Sequence, residues 1–149
     1  SETHRLVAEA LQEMWRRDLG VTIRLHNMEN KTVLESRRQG DYQMLRSVWI
    51  ADYADPSSFL DVFRSTSGNN YTGWADVEYD DLLFRVSRTT DPQQRFAMLR
   101  QAEARLLDQA AVIPLYTFTH VFVKSPSVRG WHPTLLDHHP YKAVWLKSP

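Results

Sequence analysis

The amino-terminal third of the chain alternates between helical and strand-like patterns, and this alternation limits the fold more than any other feature of the sequence. Apolar residues recur at helical spacing over residues ~2–19 and the pattern stops at Gly20, whereas residues 21–26 alternate apolar and polar side chains as a strand does. A second helix is predicted over ~30–39 and a second strand over 42–50. Strands separated by a helix normally lie parallel in one sheet, so an α/β fold is predicted.

A sheet of this kind normally begins with a strand, whereas this chain begins with a helical pattern. We therefore expect a preceding strand to lie outside the 149 residues, and the chain to be a piece of a longer protein. The amino terminus lacks the basic-then-apolar pattern of a secretory signal. No run approaches the roughly 18 consecutive apolar residues of a transmembrane helix.

The middle of the chain carries local signals for three helices. Pro56 opens a turn that predicts a short helix through Phe63. Asp76 is a suitable N-cap for a second helix, and Asp91 followed by a proline predicts the clearest one, over ~92–109. The apolar residues expected on the core faces of these two helices are Tyr79, Leu82, Leu83, Val86, Phe96, Leu99 and Leu106.

The last part of the chain is strand-like. Apolar runs at residues 112–116, 121–123 and 143–146 surround a stretch that contains proline and histidine. The change from helical to strand character near Thr119 predicts a boundary there.

The balance of charged residues limits the kinds of partner that the chain is expected to bind. Lys plus Arg and Asp plus Glu each number 18, so no net field steers the chain toward nucleic acid or anionic lipid, and no nucleic-acid partner is expected. The chain has no cysteine, which excludes disulfides and thiolate chemistry but does not identify a compartment.

The stretch from Trp49 to Phe59 is the strongest candidate for a binding site. It places an acid, an aromatic ring and a proline-initiated turn after a predicted strand, where α/β folds bind their ligands. A carboxylate at Asp52 suits an ammonium group, through ion pairing beside an aromatic plane. The open alternative is that Asp52 ends the strand and pairs with an arginine. Asp55, before Pro56, is expected to cap the helix that follows.

No motif in the chain indicates catalysis or metal binding. Asp52 and Asp55 could share acid and base work as in a glycosidase, but their spacing into a turn does not fix the separation of the two carboxylates. His138 and His139 are expected to be exposed loop residues, because neighbours on an extended segment point to opposite faces. The G-x-S-x-G, P-loop and G-x-G-x-x-G motifs are absent from the sequence, so no enzyme activity, cofactor or metal is expected.

A recognition surface is expected instead, formed by residues near strand ends or in loops. An exposed strand edge there can also accept the main chain of an extended peptide. The residues of this expected surface are Arg37, Arg38, Arg46, Trp49, Asp52 and Asn69.

Several motifs, in order and at matching spacing, resemble one known family across essentially all 149 residues. They are Trp15 to Val21 (WRRDLGV), Arg37 to Tyr42 (RRQGDY), Trp49 to Tyr53 (WIADY), Ser67 to Asn70 (SGNN), Asp91 to Arg95 (DPQQR) and Ile113 to Tyr116 (IPLY). The chain resembles the carboxy-terminal portion of the family 5 extracellular solute-binding proteins, the oligopeptide- and dipeptide-binding components of ABC importers.

The resemblance implies part of a two-lobed periplasmic-binding-protein type II fold, with helices packed on a mixed sheet. Residues 1–118 would then form part of the carboxy-terminal ligand-binding lobe, and residues 119–149 a segment that returns toward the other lobe. The remainder of the longer chain would supply the other half of the site, and the two lobes would close around the ligand by hinge motion.

The resemblance also implies roles for individual residues. Asp52 would receive the α-amino group of a peptide, the backbone of Val48, Trp49 and Ile50 would lie beside it as a strand, and Trp49 would wall a side-chain pocket. Arg37 and Arg38 are implied as partners of the ligand carboxylate. The other positions that the resemblance places near the ligand are Arg46, Asn69 and Phe118, the last standing where oligopeptide binders can have tyrosine.

A non-enzymatic, substrate-capturing component of a peptide importer is thus implied, located in the periplasm or otherwise outside the cytoplasmic membrane, or held to the membrane by a lipid anchor. It would hand its peptide to ABC permease subunits. One alternative keeps the fold but binds a non-peptide solute such as a nickel complex or a sugar. Another is a sensor domain of a transcriptional regulator.

Overall fold

A computed structural model describes residues 2–147, which divide into two units between Leu45 and Arg46. The first unit contains the helices α1, Glu2–Leu19, and α2, Asn30–Gln39. Gly20 and Gly40 follow these helices in the left-handed conformation, with φ of 66° and 68°. Both helices are as predicted, and each ends at a glycine that adopts positive φ without steric cost.

The strands predicted at residues 21–26 and 42–50 are absent from the structure as described, where both segments lack regular secondary structure. The Gln12 amide donates a hydrogen bond of 2.8 Å to the carbonyl of Ile23, which fastens the first segment to α1. Alternation of side chains identifies the two faces of a segment but not a partner strand, and a strand exists only with a ladder partner. The predicted parallel pair is therefore wrong for this chain.

The second unit is helical at its start and irregular at its end. Helix α3, Ser57–Leu60, continues into a 3₁₀ turn, Asp61–Phe63, as the sequence predicts. Helix α4 spans Val77–Val86 and helix α5 spans Pro92–Asp108. A second 3₁₀ turn, Tyr141–Ala143, precedes the last strand.

The core of the second unit lies where α4 packs against α5 and against the end of α3. Tyr79 is fully buried and its hydroxyl donates a hydrogen bond of 2.6 Å to the carbonyl of Leu60, while burial raises the pKa of this phenol. Phe96, predicted to face the core, is instead 49% exposed. The buried apolar residues are Leu60, Tyr79, Leu83, Val86, Met98, Leu99, Ala102 and Leu106.

Two aspartates cap the long helices as predicted. The Asp91 carboxylate accepts a hydrogen bond of 2.8 Å from the backbone N–H of Gln94 at the start of α5. Asp76 accepts the N–H of Tyr79 at 2.8 Å at the start of α4. Its carboxylate also lies 2.6 Å from Nε of Arg105 and 2.8 Å from the amide of Gln109, so that Asp76 joins α4 to α5.

The Asp76→Asn variant is expected to lose stability only where Asp76 is ionised, since Asn keeps the helix cap but not the ion pair. The Arg105 guanidinium holds the pKa of Asp76 below its usual 3.8 in the folded chain. Stabilisation by a depressed pKa is present above the usual value and is lost as the pH falls through the folded value. Urea unfolding at pH 7 and at acidic pH measures this. A stability difference that did not shrink in acid would contradict the ion-pair account.

The tail of the chain forms a two-stranded antiparallel sheet, from β1, Val128–Arg129, and β2, Trp145–Leu146. Val128 pairs with Leu146 and Arg129 with Trp145. Gly130 follows β1 with φ of 75°, and a Cβ there would lie 1.9 Å from the carbonyl oxygen of Ala143, so no side chain fits.

The strand predicted at residues 143–146 is confirmed at its second half, whereas the runs at 112–116 and 121–123 are not strands in the structure. These runs were apolar enough for strands, but they have no ladder partner among residues 2–147. The predicted division of the chain between residues 118 and 119 refers to the lobes of a longer protein and stays a prediction.

Candidate functional site

The turn between Asp52 and α3 is built around the carboxylate of Asp55. One oxygen of Asp55 accepts hydrogen bonds from the backbone N–H of Ser57 at 2.9 Å and from its hydroxyl at 2.7 Å. The carbonyl of Asp55 accepts the N–H of Ser58 at 3.0 Å. Asp55 therefore stabilises the turn that leads into α3, but the N-cap position belongs to Pro56, so the predicted capping by Asp55 is not met as stated.

The same carboxylate forms a bidentate ion pair with Arg95 on α5. The two guanidinium nitrogens lie 2.7 and 2.8 Å from the two Asp55 oxygens, and the two side chains are 24% and 26% exposed. Arg95 is the main cause that keeps the pKa of Asp55 well below its usual range. This contact, called here the Asp55–Arg95 brace, attaches the turn to a core helix.

Ser58 connects the turn to the predicted binding residues. It is buried, with 4% of its surface exposed. Its hydroxyl oxygen accepts a hydrogen bond of 2.8 Å from the backbone N–H of Asp52, and its carbonyl accepts one of 2.8 Å from the indole N–H of Trp49. One buried residue thus sets the position of both the acid and the ring.

The Asp52 carboxylate is exposed at the surface of the second unit. Among residues 46–147, no side chain or backbone group donates a hydrogen bond to it and no arginine pairs with it. In this turn it is Asp55, and not Asp52, that pairs with an arginine of the second unit. The backbone of Asp52 is therefore held by Ser58, while its carboxylate is exposed and has no hydrogen-bond donor within the described part of this unit.

The residues that precede Asp52 are accessible. Val48 is 46% exposed, Trp49 36% and Ile50 76%. Among the described residues of the second unit, none forms a backbone–backbone hydrogen bond with these three. Their N–H and C=O groups are therefore not used in a strand ladder within residues 46–147 of this unit.

Arg46 and Phe118 come together elsewhere in the unit. The Arg46 guanidinium carbon lies 6.0 Å from the centre of the Phe118 ring, at the outer limit of a cation–π contact. The Phe118 ring meets the edge of Tyr116 at 5.0 Å between centroids. The residues of this cluster are half-exposed aromatic rings beside a cation, a surface suited to apolar or planar groups.

Asn69 is exposed and its backbone N–H donates to the hydroxyl of Ser67 at 3.3 Å. Its neighbour Asn70 has the structural role, because the Asn70 amide donates to the carbonyls of Phe63, Arg64 and Trp74 at 2.9 to 3.2 Å. Asn69 is thus presented by a loop that Asn70 holds in shape.

Arg37 and Arg38 lie in the last turn of α2, in the first unit. Arg38 is exposed, with a guanidinium nitrogen 4.0 Å from the carboxylate of Glu35, and Arg37 is half-buried. A carboxylate partner role for either residue stays a prediction.

His138 and His139 lie in different environments, so the prediction that both are exposed is wrong for His139. His138 is exposed, but the His139 side chain is only 13% exposed, stacked on Trp131 and 2.6 Å from Asp137. His120 also lies 3.0 Å from Asp137. Over residues 2–147, no three His, Asp or Glu side chains are arranged as metal ligands.

Ser58 and Arg95 were missed by the sequence reasoning. Ser58 stands in the Asp-Pro-Ser-Ser run, whose polar residues indicate a turn but not which one is buried. Arg95 is separated from Asp55 by 40 positions, and one sequence contains no signal for such a pairing.

Comparison with known proteins now identifies the family. Residues 1–71 match the model of the bacterial extracellular solute-binding proteins, family 5 Middle. The chain is 36% identical, over 97% of its length, to the dipeptide-binding protein DppE of Bacillus subtilis, and 37% identical, over 99%, to the probable deoxycholate-binding periplasmic protein YgiS of Escherichia coli. The structure of the Escherichia coli murein tripeptide binding protein MppA superposes with a TM-score of 0.86, at 31% identity, over 98% of this chain and 29% of that one.

The chain belongs to the family 5 extracellular solute-binding proteins. The family resemblance and the periplasmic-binding-protein fold class are both confirmed. The chain spans about a quarter of the length of the curated relatives, 26% of the Bacillus protein and 27% of YgiS. None of the helices in residues 2–147 has the length and apolar character that crossing a membrane requires.

Proposed function

We propose that this chain forms part of the substrate-binding component of a peptide importer, in which Asp52 binds the α-amino group of the peptide. The observation that carries the proposal is the exposed Asp52 carboxylate, without a donor in its own unit, on a backbone fixed by Ser58. An ammonium group supplies both the positive charge and the hydrogen-bond donors that such a carboxylate lacks.

The peptide main chain pairs with residues 48–50. The three residues are exposed and their backbone groups have no backbone partner in the described part of the second unit, which supports strand addition. Trp49, held by its indole N–H, forms the wall of a side-chain pocket. Main-chain pairing tolerates varied peptide sequences because every peptide offers the same amides.

Three further residues of the second unit, Arg46, Asn69 and Phe118, lie near the ligand, as the family resemblance implies. For Arg37 and Arg38, in the first unit, the resemblance implies a partner role toward the ligand carboxylate. Residues 1–118 belong to one lobe and residues 119–149 return toward the other, while the rest of the longer protein supplies the facing wall. The chain spans 26% of the Bacillus relative and 29% of the MppA chain, which supports a facing wall supplied by the rest of a longer protein.

The protein acts by binding and not by catalysis. It works outside the cytoplasmic membrane, in the periplasm or on a lipid anchor, and delivers its ligand to ABC permease subunits. The names of the relatives support this, since they describe binding proteins, several of them periplasmic or from an ABC transporter.

A second candidate is the same fold binding a non-peptide solute. It is favoured by the 37% identity to a probable deoxycholate-binding protein, whose ligand, as named, is a carboxylate without an amine. Such a ligand would gain nothing from Asp52. The two candidates therefore differ in whether a positive group on the ligand is required.

Calorimetric titration of the intact protein with a tripeptide and with its N-acetylated form tests the proposal. Acetylation removes the positive charge and leaves Asp52 unpaired, which costs about 2–5 kcal/mol for a buried charge pair, or at least ~30-fold in affinity. Deoxycholate titrated in parallel is expected to bind weakly. Equal affinity for the two tripeptides, or tight binding of deoxycholate alone, would contradict the peptide proposal.

A further inference from the structure

We propose that Ser58 is a positioning residue for the ligand amine, acting through Asp52 and Trp49 and held in register by the Asp55–Arg95 brace. This inference rests on the proposed function, because it concerns how the amine site is kept in shape. Ser58 itself is buried, so it acts through the residues that it positions.

Ser58 is fixed from both sides along the chain. Before it, Asp55 is clamped to α5 by two hydrogen bonds from Arg95. After it, Leu60 is buried in the core and its carbonyl accepts the hydroxyl of Tyr79. These two attachments, one before Ser58 and one after it, leave Ser58 little freedom to shift relative to α4 and α5.

The fixed Ser58 transmits its position by two hydrogen bonds that span different lengths of chain. Its hydroxyl reaches back six residues to the N–H of Asp52, and its carbonyl reaches back nine residues to the indole of Trp49. The first bond orients the peptide plane that carries Asp52, and the second orients the ring beside it. No other residue among 46–147 bonds to both.

Position matters here because the energy of a charge-assisted hydrogen bond depends on its geometry. A binding group must be held within about 0.5 Å of its productive position by supporting contacts. The Asp52 side chain has no such contact of its own within the second unit, so its backbone is where support can act. Removal of the Ser58 hydroxyl should thus weaken the amine contact without removing any group that touches ligand.

The test uses the intact protein and the ratio of affinities for a tripeptide and its N-acetylated form, measured by calorimetry. Ser58→Ala is expected to lower the affinity for the free-amine peptide about three- to tenfold, the loss of one neutral hydrogen bond. The affinity for the acetylated peptide should change less than twofold. Ser58→Thr, which keeps a hydroxyl, should restore part of the ratio. Ser87→Ala removes a hydroxyl bonded to the carbonyl of Phe84 and serves as the matched control.

Arg95→Lys gives a second approach through the brace. Lysine keeps the charge but cannot form the bidentate contact with Asp55, so the ratio should fall again while the protein remains folded by circular dichroism. This variant decides the matter if Ser58→Ala proves unfolded.

The outcomes separate the two proposals. A wild-type protein that does not distinguish the two peptides contradicts the proposed function and this inference together. If the wild-type protein distinguishes the two peptides but folded Ser58→Ala keeps the wild-type ratio of affinities, the positioning role alone is overturned. Where Ser58→Ala is unfolded, an unchanged ratio in Arg95→Lys overturns it in the same way. An equal loss for both peptides would assign Ser58 a purely structural part and would also overturn it.

Discussion

Replacing Asp52 with Ala in the intact protein is expected to weaken binding of a free-amine tripeptide by at least ~30-fold. The variant leaves the ligand ammonium in a binding site without its counter-charge, which typically costs about 2–5 kcal/mol. The Asp52 carboxylate makes no hydrogen bond within the second unit, so its removal takes no internal support away. Folding stability should therefore stay within about 0.5 kcal/mol of the wild type.

Calorimetry of the wild type and of Asp52→Ala, each with the free-amine and the acetylated tripeptide, gives the four affinities of a thermodynamic cycle. If Asp52 meets the amine, the variant and the acetylation remove the same contact, and their combined effect should be far less than the sum. Asp81→Ala is the control, since Asp81 is an exposed aspartate on α4 whose nearest arginine nitrogen is 3.7 Å away. Additive losses, or an unaltered affinity in Asp52→Ala, would favour the non-peptide candidate.

Replacing Leu106 with Ala is expected to destabilise the second unit by about 2–5 kcal/mol, the usual range for a buried leucine. Leu106 is 3% exposed where α5 packs on α4, whereas the adjacent Leu107 is 39% exposed on the same helix. Leu107→Ala should cost under about 1 kcal/mol. Because the two changes have the same effect on helix propensity, their difference isolates burial.

Chemical denaturation followed by far-ultraviolet circular dichroism compares the two leucine variants. A lower midpoint at an unchanged denaturant dependence for Leu106→Ala would support the packing described here. Similar midpoints for the two variants would mean that α5 does not face the core as the structure has it.

The helices were predictable because their signals are local. Glycine at positions 20 and 40 and aspartate at positions 76 and 91 mark helix ends through contacts within a few residues. The strands were not predictable in the same way. An apolar alternation such as that at residues 21–26 indicates which face would be buried, but it does not show whether a partner strand is present.

In the candidate site, too, the features set by neighbouring residues were predictable and those set by distant residues were not. The turn around Asp52 and Asp55 follows from neighbouring residues, and in the structure Asp55 stabilises that turn just before α3. The link to Arg95 depends on how α5 packs, and the burial of Ser58 depends on the core beneath it. Phe96 was predicted to face the core but is exposed, because helical spacing alone does not show where the apolar face of a helix ends.

The separation of 40 positions between Asp55 and Arg95 has a consequence for the order in which the protein is built. During synthesis the turn that carries Asp52 leaves the ribosome well before α5 does, and chains begin to fold from their amino-terminal parts. The turn has its local hydrogen bonds at that moment but not its attachment to the core. The proposed amine site is therefore complete only when α5 has emerged and packed, so peptide binding at Asp52 is expected only after the second unit has folded.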